Sequence, residues 1–445
     1  MTESSLSAFV SWPGAPLTKR LVLNALDHIG LSSSVTEELP ELPPDGRLLQ
    51  WATYDALNHD LTHESPSRVL SSSYVFRKAL IRKHYLSRCI HSYLVKHPES
   101  SLTRAAPRTW ELELSFADEL DDMWGDELWD LGEALENGDG ARWFILKPGM
   151  ADRGQGIRLF NSKDALQRIF EGFEEDSDDE ENEAEDQDST AVMTSQLRHF
   201  VIQEYLSTPL LLDPRATTKA PTPDKIDGHK FHLRVYCVAS GAMRLYMYTR
   251  ILALFSSKAY TQPQASVDDE DVEIDLAPHL TNTSLQTHRG EEGVRLLDEL
   301  VGLPILSGSR ENVCLTAEHL EDIQTQMAEA LAETFKAALA MPIHYQPVPN
   351  AFELYGIDFL VSDETSGASA PRFQVKLLEV NAEPAIELTG PRLTWILEDL
   401  FKSIAEVAVR PFAAPKQASE DWAVGEIKLY LRKCLDTEVR GAAGW

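Results

Sequence analysis

The chain has 445 residues, of which 43% are hydrophobic, so it can build more than one buried core and is not a disordered polypeptide. Its formal net charge of −30 opposes binding to nucleic-acid backbones and anionic membranes, and we exclude both as partners. Four scattered cysteines, no basic leader and no apolar run of about eighteen residues favour a cytoplasmic protein without disulfides, zinc fingers or membrane spans.

The first 110 residues are predicted to form a small N-terminal α/β domain. Apolar residues recur at helical spacing from Leu17 to Ile29, which predicts a helix there. A longer helix is predicted from Ser71 to Val95, and His97-Pro98 should end it because the residue before proline disfavours helix. A short strand, from Thr109 to Leu112, follows.

Residues 111–225 are predicted to form a β-rich unit. Its strands are expected at Trp143–Lys147, Gly156–Phe160 and Phe200–Leu206, with a helix at Ser162–Phe173. Residues 174–188 carry eleven acids and no Lys or Arg. We therefore expect a disordered acidic insertion at 174–190 that acts as a spacer, with a docking site for a basic partner as the alternative.

Residues 226–412 are predicted to form a second mixed unit. A hairpin is expected around Ser240-Gly241, and a second acidic loop at 261–275. A helix from about 316 to 340 precedes two strands joined by a turn-rich stretch, and another helix closes the unit. The two strands are expected at Glu353–Val361 and Phe373–Asn381, and the closing helix at Leu393–Val409. The tail, 413–445, contains a further helix candidate from Trp422 to Leu435.

A glycine-rich segment joins two of the predicted strands. It reads Lys147-Pro-Gly-Met-Ala-Asp-Arg-Gly-Gln-Gly156 and is neither a Walker A loop nor a dinucleotide fingerprint. Glycines let backbone N–H groups approach anionic oxygens, so the segment suits a lid over phosphates, with Lys147 as a point charge. The alternative is an ordinary hairpin turn.

Basic side chains alternate along the strand Lys230-Phe-His-Leu-Arg234. Residues two apart on a strand share a face, so Lys230, His232 and Arg234 are predicted to project together. Arg250 ends the next strand and is expected to join them. Such a face suits an anion, and a guanidinium fork suits a carboxylate or a phosphate. The alternative is a solvated strand face.

Acidic and amide side chains lie on the two predicted core strands near the end of the chain. Asp358 falls on one strand, and Glu379 and Asn381 share a face of the other. Two carboxylates and an amide oxygen are hard ligands that suit Mg²⁺ completed by nucleotide phosphates. The alternative is a pair of surface acids at strand ends. Separately, backbone groups of Gln203 to Leu206 are candidates to hold an adenine edge.

Together these motifs resemble the tubulin–tyrosine ligase family, whose landmarks occur in the same order over roughly residues 70–410. The motifs are Lys147-Pro…Arg153-Gly-x-Gly-Ile157, Gln203-Glu-Tyr-Leu-x-x-Pro-Leu-Leu-Leu212, Lys230-Phe-x-Leu-Arg234, Tyr248-x-Arg250, His279-Leu-Thr-Asn282, Tyr355-Gly-Ile-Asp-Phe359 and Leu378-Glu-Val-Asn-x-x-Pro384. Arg77-Lys78-Ala79 and Pro107-Arg-Thr-Trp110 look like N-terminal landmarks of the same family. The resemblance implies an α+β, ATP-grasp fold with two halves that hold ATP between them.

The resemblance also implies a role for each matching residue. Lys147 and Lys230 would contact the ATP phosphates, and Gln203, Glu204, Tyr205 and Leu206 would form the adenine hinge. Asp358, Glu379 and Asn381 would hold Mg²⁺, with Asp358 and Asn381 also facing the nucleotide. Arg234 and Arg250, with Lys230, would serve catalysis by receiving the carboxylate substrate. Lys78 and Asn282 would lie near the nucleotide or the acceptor.

One departure from the family concerns His232, because relatives usually carry Asp at this position. The first hypothesis is an ATP-dependent ligase that adds a free amino acid to a protein carboxylate, such as a tubulin tail, through an acyl phosphate. The second is a nucleotide-binding interaction protein with weak or no ligase activity, which His232 favours. The third is a ligase of free small molecules. The charge of −30 fits poorly with docking on an acidic tubulin tail.

Overall fold

Three β-sheets with their covering helices form the frame of the chain in this computed structural model. The structure describes residues 6–138, 141–149, 156–180, 198–217, 225–264, 274–281, 291–308, 313–364 and 373–439. Two of the sheets are antiparallel and packed on helices, so the predicted α+β class is confirmed.

The first sheet consists of four parallel strands near the N-terminus, in the spatial order β2-β1-β3-β4. The strands are β1 (Leu6–Ser11), β2 (Val35–Thr36), β3 (Arg47–Ala52) and β4 (Val69–Ser71). Two helices accompany them, α1 (Pro16–His28) and α2 (His59–Glu64). The predicted first helix is confirmed by α1, which buries Leu21, Val22, Ala25 and Leu26.

The single helix predicted from Ser71 to Val95 is wrong. Ser71 ends β4, and two helices follow, α3 (Lys78–Ile81) and α4 (Lys83–Lys96), separated by the extended backbone of Arg82. The cause is a tertiary contact, because Tyr74 is buried and its N–H donates to the Glu353 carboxylate, 3.2 Å away. Helical periodicity carries no information about such a contact. The predicted stop at His97-Pro98 is confirmed.

The second sheet lies in the middle of the chain and has the order β5-β8-β6-β7. Its strands are β5 (Thr109–Glu113), β6 (Phe144–Pro148), β7 (Arg158–Phe160) and β8 (His199–Glu204), and nearby helices are α5 (Leu102–Ala105), α6 (Leu120–Met123), α7 (Trp129–Glu136) and α8 (Lys163–Glu180). Phe144, Leu146 and Ile202 pack on the helices α6 to α8. Because strand side chains alternate, Lys147 and Gln203 face the opposite side, toward the rest of the chain.

Two predicted boundaries of this central unit differ from the observed elements. The boundary at residue 110 falls inside β5, which pairs with β8 throughout. The helix α8 continues to Glu180, so the acidic insertion begins as helix rather than as disordered chain. A long amphipathic helix can extend past its packed face, because its backbone hydrogen bonds do not depend on side-chain type. Residues 181–190 of the insertion lie outside the described residues.

The third and largest sheet has nine strands, built around one long central strand. The strands are β9 (Leu211–Leu212), β10 (His229–Ser240), β11 (Arg244–Tyr248), β12 (Leu252–Phe255), β13 (Val294–Leu296), β14 (Phe352–Asp363), β15 (Phe373–Ala382), β16 (Ile427–Lys428) and β17 (Leu431–Asp436). Along one edge β10 pairs with β12 and then β11, and along the other with β14, which pairs with β15. The predicted hairpin and the two predicted core strands are confirmed.

Helices cover both faces of the large sheet. On one face lie α9 (Ala317–Leu339), α4 and α5, and on the other α10 (Thr394–Ile404) packs with the N-terminal sheet. After α10 the helix passes through a π-helical segment, Ala405–Val409, into α11 (Arg410–Ala413). The predicted helices at 316–340 and 393–409 are therefore confirmed.

The helix predicted from Trp422 to Leu435 is wrong, because these residues form β16 and β17. β17 pairs antiparallel with β11, whose edge would otherwise present unpaired backbone groups. Lys433, in the middle of β17, is buried and ion-paired with Asp421 and Asp436. Short apolar runs fit both periods, and the available sheet edge decides for strand.

A buried carboxylate joins the N-terminal region to the large sheet. Glu353, at the start of β14, accepts hydrogen bonds from the Ser73 hydroxyl (3.0 Å), the Tyr74 N–H (3.2 Å) and the Tyr355 hydroxyl (2.7 Å). Arg77 completes the group with an ion pair to the same carboxylate, and its guanidinium stacks on Tyr54. The segment before α3 is thereby tied to the sheet.

We expect Arg77→Ala to lower the free energy of unfolding by about 3–5 kcal/mol, because it leaves a buried carboxylate without its cation. The matched control is Arg88→Ala, which removes an ion pair to Glu111 from an arginine whose side chain is 54% exposed. That variant should cost about 1 kcal/mol or less. Urea unfolding followed by fluorescence measures both, and equal losses would contradict the role given to Glu353.

Candidate functional site

A cleft lies between the central sheet and the large sheet. The central sheet contributes the open face of β6 and β8, and the large sheet contributes one face of β10, β14 and β15. The segment 279–281 closes one side. Apolar walls come from Ile145, Ile157, Leu360 and Leu378. The cleft is thus an apolar slot with polar groups at particular positions, the usual form of a small-molecule site.

Two buried lysines face each other across this cleft. Lys147 Nζ donates to Gln203 Oε1 at 2.8 Å, and Lys230 Nζ donates to the Tyr205 hydroxyl at 3.4 Å while lying 4.5 Å from its ring centroid. Neither lysine has a carboxylate within 4.0 Å among the described residues. Two buried ammonium groups without an ion pair are costly unless an anion joins them.

Burial changes the ionisation of both lysines. It lowers the pKa of Lys147 to about 8, although the nearby Glu379 carboxylate raises that pKa in part. It lowers the pKa of Lys230 to about 7, and repulsion from Lys147 adds to the effect. Each ammonium therefore loses its proton more readily than a surface lysine, until an anion restores its charge.

Strand register brings the predicted carboxylates together. Asp358 lies directly opposite Arg234 on β10 and directly opposite Glu379 on β15, so all three side chains share one sheet face. The register between β14 and β15 shifts immediately after this pair, where Leu378 is the extra residue of a bulge. Bulges re-aim side chains beside functional sites, and this one borders the cleft.

Each carboxylate already has protein partners. Arg234 donates from Nε and from Nη2 to the Asp358 carboxylate, and the distance from Nη2 to Oδ2 is 2.8 Å. Glu379 accepts from Asn381 Nδ2 at 3.1 Å and lies 3.4 Å from Lys83 Nζ. Burial alone would raise the pKa of Glu379, but Lys83 and Lys147 outweigh it and hold that pKa well below its usual value. Glu379 is therefore ionised at neutral pH.

His232 lies between the lysine and the carboxylates. Its Nδ1 is 2.6 Å from the Thr281 hydroxyl. Its Nε2 is 3.6 Å from Asp358 Oδ1 and has no hydrogen-bond partner among the described residues. Burial lowers the pKa of His232 and outweighs the neighbouring carboxylate, so the imidazole is neutral at pH 7.

The donor set fits a divalent cation that takes most of its ligands from phosphates. Asp358 and Glu379 are hard, buried carboxylates, and Asn381 adds an amide beside Glu379. The described residues contain no group of three His, Cys, Asp or Glu side chains arranged as a complete metal site. An anion such as a polyphosphate would supply further oxygen ligands to a cation here and would also suit the two lysines.

The predicted adenine hinge borders the same cleft. Gln203, Glu204, Tyr205 and Leu206 all line it. The Glu204 and Tyr205 N–H groups donate to the carbonyls of Arg108 and Trp143, both at 2.9 Å, which fixes the hinge backbone. The Tyr205 hydroxyl is 2.9 Å from His279 Nδ1.

Some predicted site residues lie elsewhere. The Arg250 guanidinium is ion-paired with Asp399 and stacked between Trp395 and Tyr430, away from the cleft lining. Lys78 is exposed at the start of α3 and does not line the cleft. Asn282 and the loop residues 150–155, which include Arg153, lie outside the described residues.

Sequence reasoning also missed residues that the cleft contains. His279 and Thr281 line it, although only Asn282 was selected from their shared motif. Lys83 reaches Glu379 from α4. The His-Leu-Thr-Asn motif could have identified His279 and Thr281 as site residues. Nothing in the sequence connects Lys83 with Glu379.

Comparison with known proteins gives consistent matches. Residues 63–417 match the model of the "Tubulin-tyrosine ligase family". The chain is 36% identical to "Probable tubulin--tyrosine ligase C12B10.04" of Schizosaccharomyces pombe over 88% of each chain. It is 37% identical to "Probable tubulin--tyrosine ligase PBY1" of Saccharomyces cerevisiae over 85% of this chain, but spans only 48% of that protein.

A solved structure matches almost the whole fold. It is the C-terminal domain of K. lactis Pby1, described as an ATP-grasp enzyme that interacts with the mRNA decapping enzyme Dcp2. The TM-score is 0.65 at 30% identity, with 98% of this chain and 99% of that chain covered. The predicted ATP-grasp fold is confirmed. Within the described residues, no helix is both long and apolar enough to cross a membrane.

We expect ATP binding to take up protons at about pH 8, because phosphate oxygens would return the lowered pKa values of Lys147 and Lys230 toward their usual range. The apparent ATP affinity should accordingly fall between about pH 7 and pH 9. Isothermal titration calorimetry in HEPES and in Tris, which differ in protonation enthalpy, measures the uptake.

Lys230→Arg is the informative variant for this experiment, because arginine keeps the charge but does not titrate in this range. It should reduce the proton uptake while retaining binding. Lys258→Met serves as the control, since Lys258 is exposed and paired with Asp275. Binding without proton uptake in the wild-type protein would contradict the lowered pKa values.

Proposed function

The chain belongs to the tubulin-tyrosine ligase family, and from that premise we propose that it is an ATP-dependent ligase that joins a free amino acid to a protein carboxylate. The observation that carries the proposal is one cleft that holds two buried lysines, Lys147 and Lys230, opposite two aligned carboxylates, Asp358 and Glu379. This combination suits a triphosphate and its cation. The adenine hinge at 203–206 borders the same space.

The chemical problem is the poor leaving group of a carboxylate. Transfer of the γ-phosphoryl group of ATP to a carboxylate oxygen releases ADP and gives an acyl phosphate. The amine nitrogen then attacks the carbonyl carbon, inorganic phosphate leaves, and the ammonium loses a proton to give the amide. Charge develops on the transferring phosphoryl group, so positioning and positive charge supply most of the catalysis.

Phosphate binding, base orientation and cation binding are assigned to different residues of this chain. Lys147 and Lys230 would hold the phosphates, and the backbone of the hinge would orient the base. Asp358, Glu379 and Asn381 would hold Mg²⁺, which when bound neutralises phosphate charge. Arg234 keeps Asp358 oriented through its two-nitrogen contact. For Arg234 to receive the acceptor carboxylate as well, it would exchange partners once Asp358 takes up a cation.

The acceptor is proposed to be a protein tail, with tubulin as one candidate. Arg250 then contributes at the rim rather than in the cleft, beside Trp395 and Tyr430, which are 46% and 48% exposed. A rim of aromatic rings around a guanidinium is a common form of peptide-binding surface. The charge of −30 favours an acceptor less acidic than a tubulin tail. A cytoplasmic location stays a prediction.

A second candidate function is a nucleotide-binding interaction protein with little ligase turnover. Two observations favour it. His232 occupies the position where the resemblance leads us to expect Asp, and within the described residues its Nε2 has no hydrogen-bond partner. The K. lactis neighbour is described as interacting with Dcp2, so a protein of the mRNA decapping machinery is a partner to test for this chain.

The decisive experiment combines ADP release with mass spectrometry. The protein, Mg-ATP and isotope-labelled amino acids are incubated with tubulin or cell lysate, and modified peptides are identified. We expect Lys147→Met and Glu379→Gln each to lower turnover by about a hundredfold or more, since the first removes a positive charge from the phosphates and the second removes a ligand of the cation. Lys19→Met, which removes an exposed ion pair to Glu37, should leave turnover unchanged.

The two candidate functions give different results. ATP binding with neither ADP release nor a labelled product, in the presence of a lysate, would favour the interaction protein. Absence of ATP binding altogether would contradict both.

A further inference from the structure

The imidazole of His232 presents an unsatisfied nitrogen to the carboxylates of the cleft. The side chain is 3% exposed, and its Nε2 has no hydrogen-bond partner in the part of the chain that the structure describes. The 3.6 Å between Nε2 and Asp358 Oδ1 is too long for a hydrogen bond. A buried polar atom without a partner is rare in folded proteins, so we expect this nitrogen to contact a ligand.

The other ring nitrogen has a partner that orients the imidazole. Nδ1 lies 2.6 Å from the Thr281 hydroxyl, which can accept its proton. In that tautomer Nε2 carries a lone pair that faces Asp358 Oδ1, whereas in the other tautomer Thr281 donates to Nδ1 and Nε2 carries the proton. Metal-binding histidines show the former pattern, in which the second nitrogen donates to a neighbouring oxygen and thereby fixes the tautomer.

When Nδ1 carries the proton, the Nε2 lone pair and the carboxylate oxygen repel each other, and a cation between the two atoms removes that repulsion. Metal–nitrogen and metal–oxygen bonds of about 2.1 Å each can span the 3.6 Å gap at an angle. Asp358 retains acceptor capacity for such a bond, because a carboxylate offers about four lone-pair directions and Arg234 uses two.

We propose that His232 is a nitrogen ligand of the divalent cation that accompanies the nucleotide, so this site favours first-row transition cations such as Mn²⁺ over Mg²⁺. The inference rests on the proposed function, since the described residues hold no complete metal site and phosphates must complete the set. An imidazole nitrogen moves selectivity from Mg²⁺ toward transition metals, whereas carboxylate and amide oxygens alone suit Mg²⁺.

The test measures coordination and does not depend on turnover. Mn²⁺ and a non-hydrolysable ATP analogue are added to the full chain, and pulsed electron paramagnetic resonance records ¹⁴N coupling to the metal. We expect an imidazole ¹⁴N signal in the wild-type protein. In protein grown with ¹⁵N-histidine that signal should be replaced by ¹⁵N coupling, which identifies a histidine without any substitution.

Variants then identify which histidine binds. His232→Asp should abolish the nitrogen coupling and lower the preference for Mn²⁺ over Mg²⁺, measured by competition, about tenfold. His279→Asn is the control, because His279 lines the same cleft but its Nδ1 contacts Tyr205, and this variant should retain the coupling.

Three results would overturn the proposal. The first is Mn²⁺–nucleotide binding without histidine coupling in the wild-type protein, which would leave Nε2–H as a donor to a phosphate oxygen and the proposed function intact. The second is coupling that persists in His232→Asp. The third is failure to bind the Mn²⁺–nucleotide complex at all, which would also remove the basis of the proposed function.

Discussion

The pairing of β10, β14 and β15 is the constraint on which the cleft depends. It sets Arg234, Asp358 and Glu379 side by side on one sheet face, and it sets Lys230 and His232 next to them along β10. Because side chains alternate along a strand, a slip of one residue would turn these groups toward the core and their apolar neighbours toward the cleft. Phe231, Leu233 and Phe359 are fully buried on the opposite face, so the core itself holds the register of the polar face.

The same arrangement leaves the charges of the cleft incompletely balanced. Among the described residues Lys147 and Lys230 are buried without an ion pair, while the two carboxylates are paired with Arg234 and Lys83. Glu379 supports the charge of Lys147 only in part, because burial still lowers the pKa of that lysine to about 8. A polyphosphate with its cation relieves both sides at once, since the phosphates contact the lysines and the metal contacts the carboxylates.

Sequence patterns predicted the strands of the site well and their surroundings poorly. Alternation along Lys230–Arg234, and acids flanked by apolar residues at Asp358 and Glu379, identify buried strands with one polar face, because that pattern has few other folded solutions. The helix predicted at 71–95 and the tail helix failed for a common reason. The Tyr74 N–H donates to the Glu353 carboxylate, and β17 pairs with the edge of β11. In both cases the partner is distant in sequence. Arg250 was misplaced because strand position gives the direction of a side chain but not which partner captures it.

The position of Arg250 bears on how far the family's chemistry carries over to this chain. The Arg250 guanidinium is ion-paired with Asp399 and contacts two aromatic rings. Its charge is therefore less available to a substrate than the charge of an unpaired arginine. His232 changes the cleft in a comparable way, since a neutral imidazole replaces an expected carboxylate while the frame around it is kept. Both changes leave the lysines, the aligned acids and the hinge in position. Both concern the proposed cation site and the acceptor end, so we expect nucleotide binding to be retained more readily than the acceptor choice of the family.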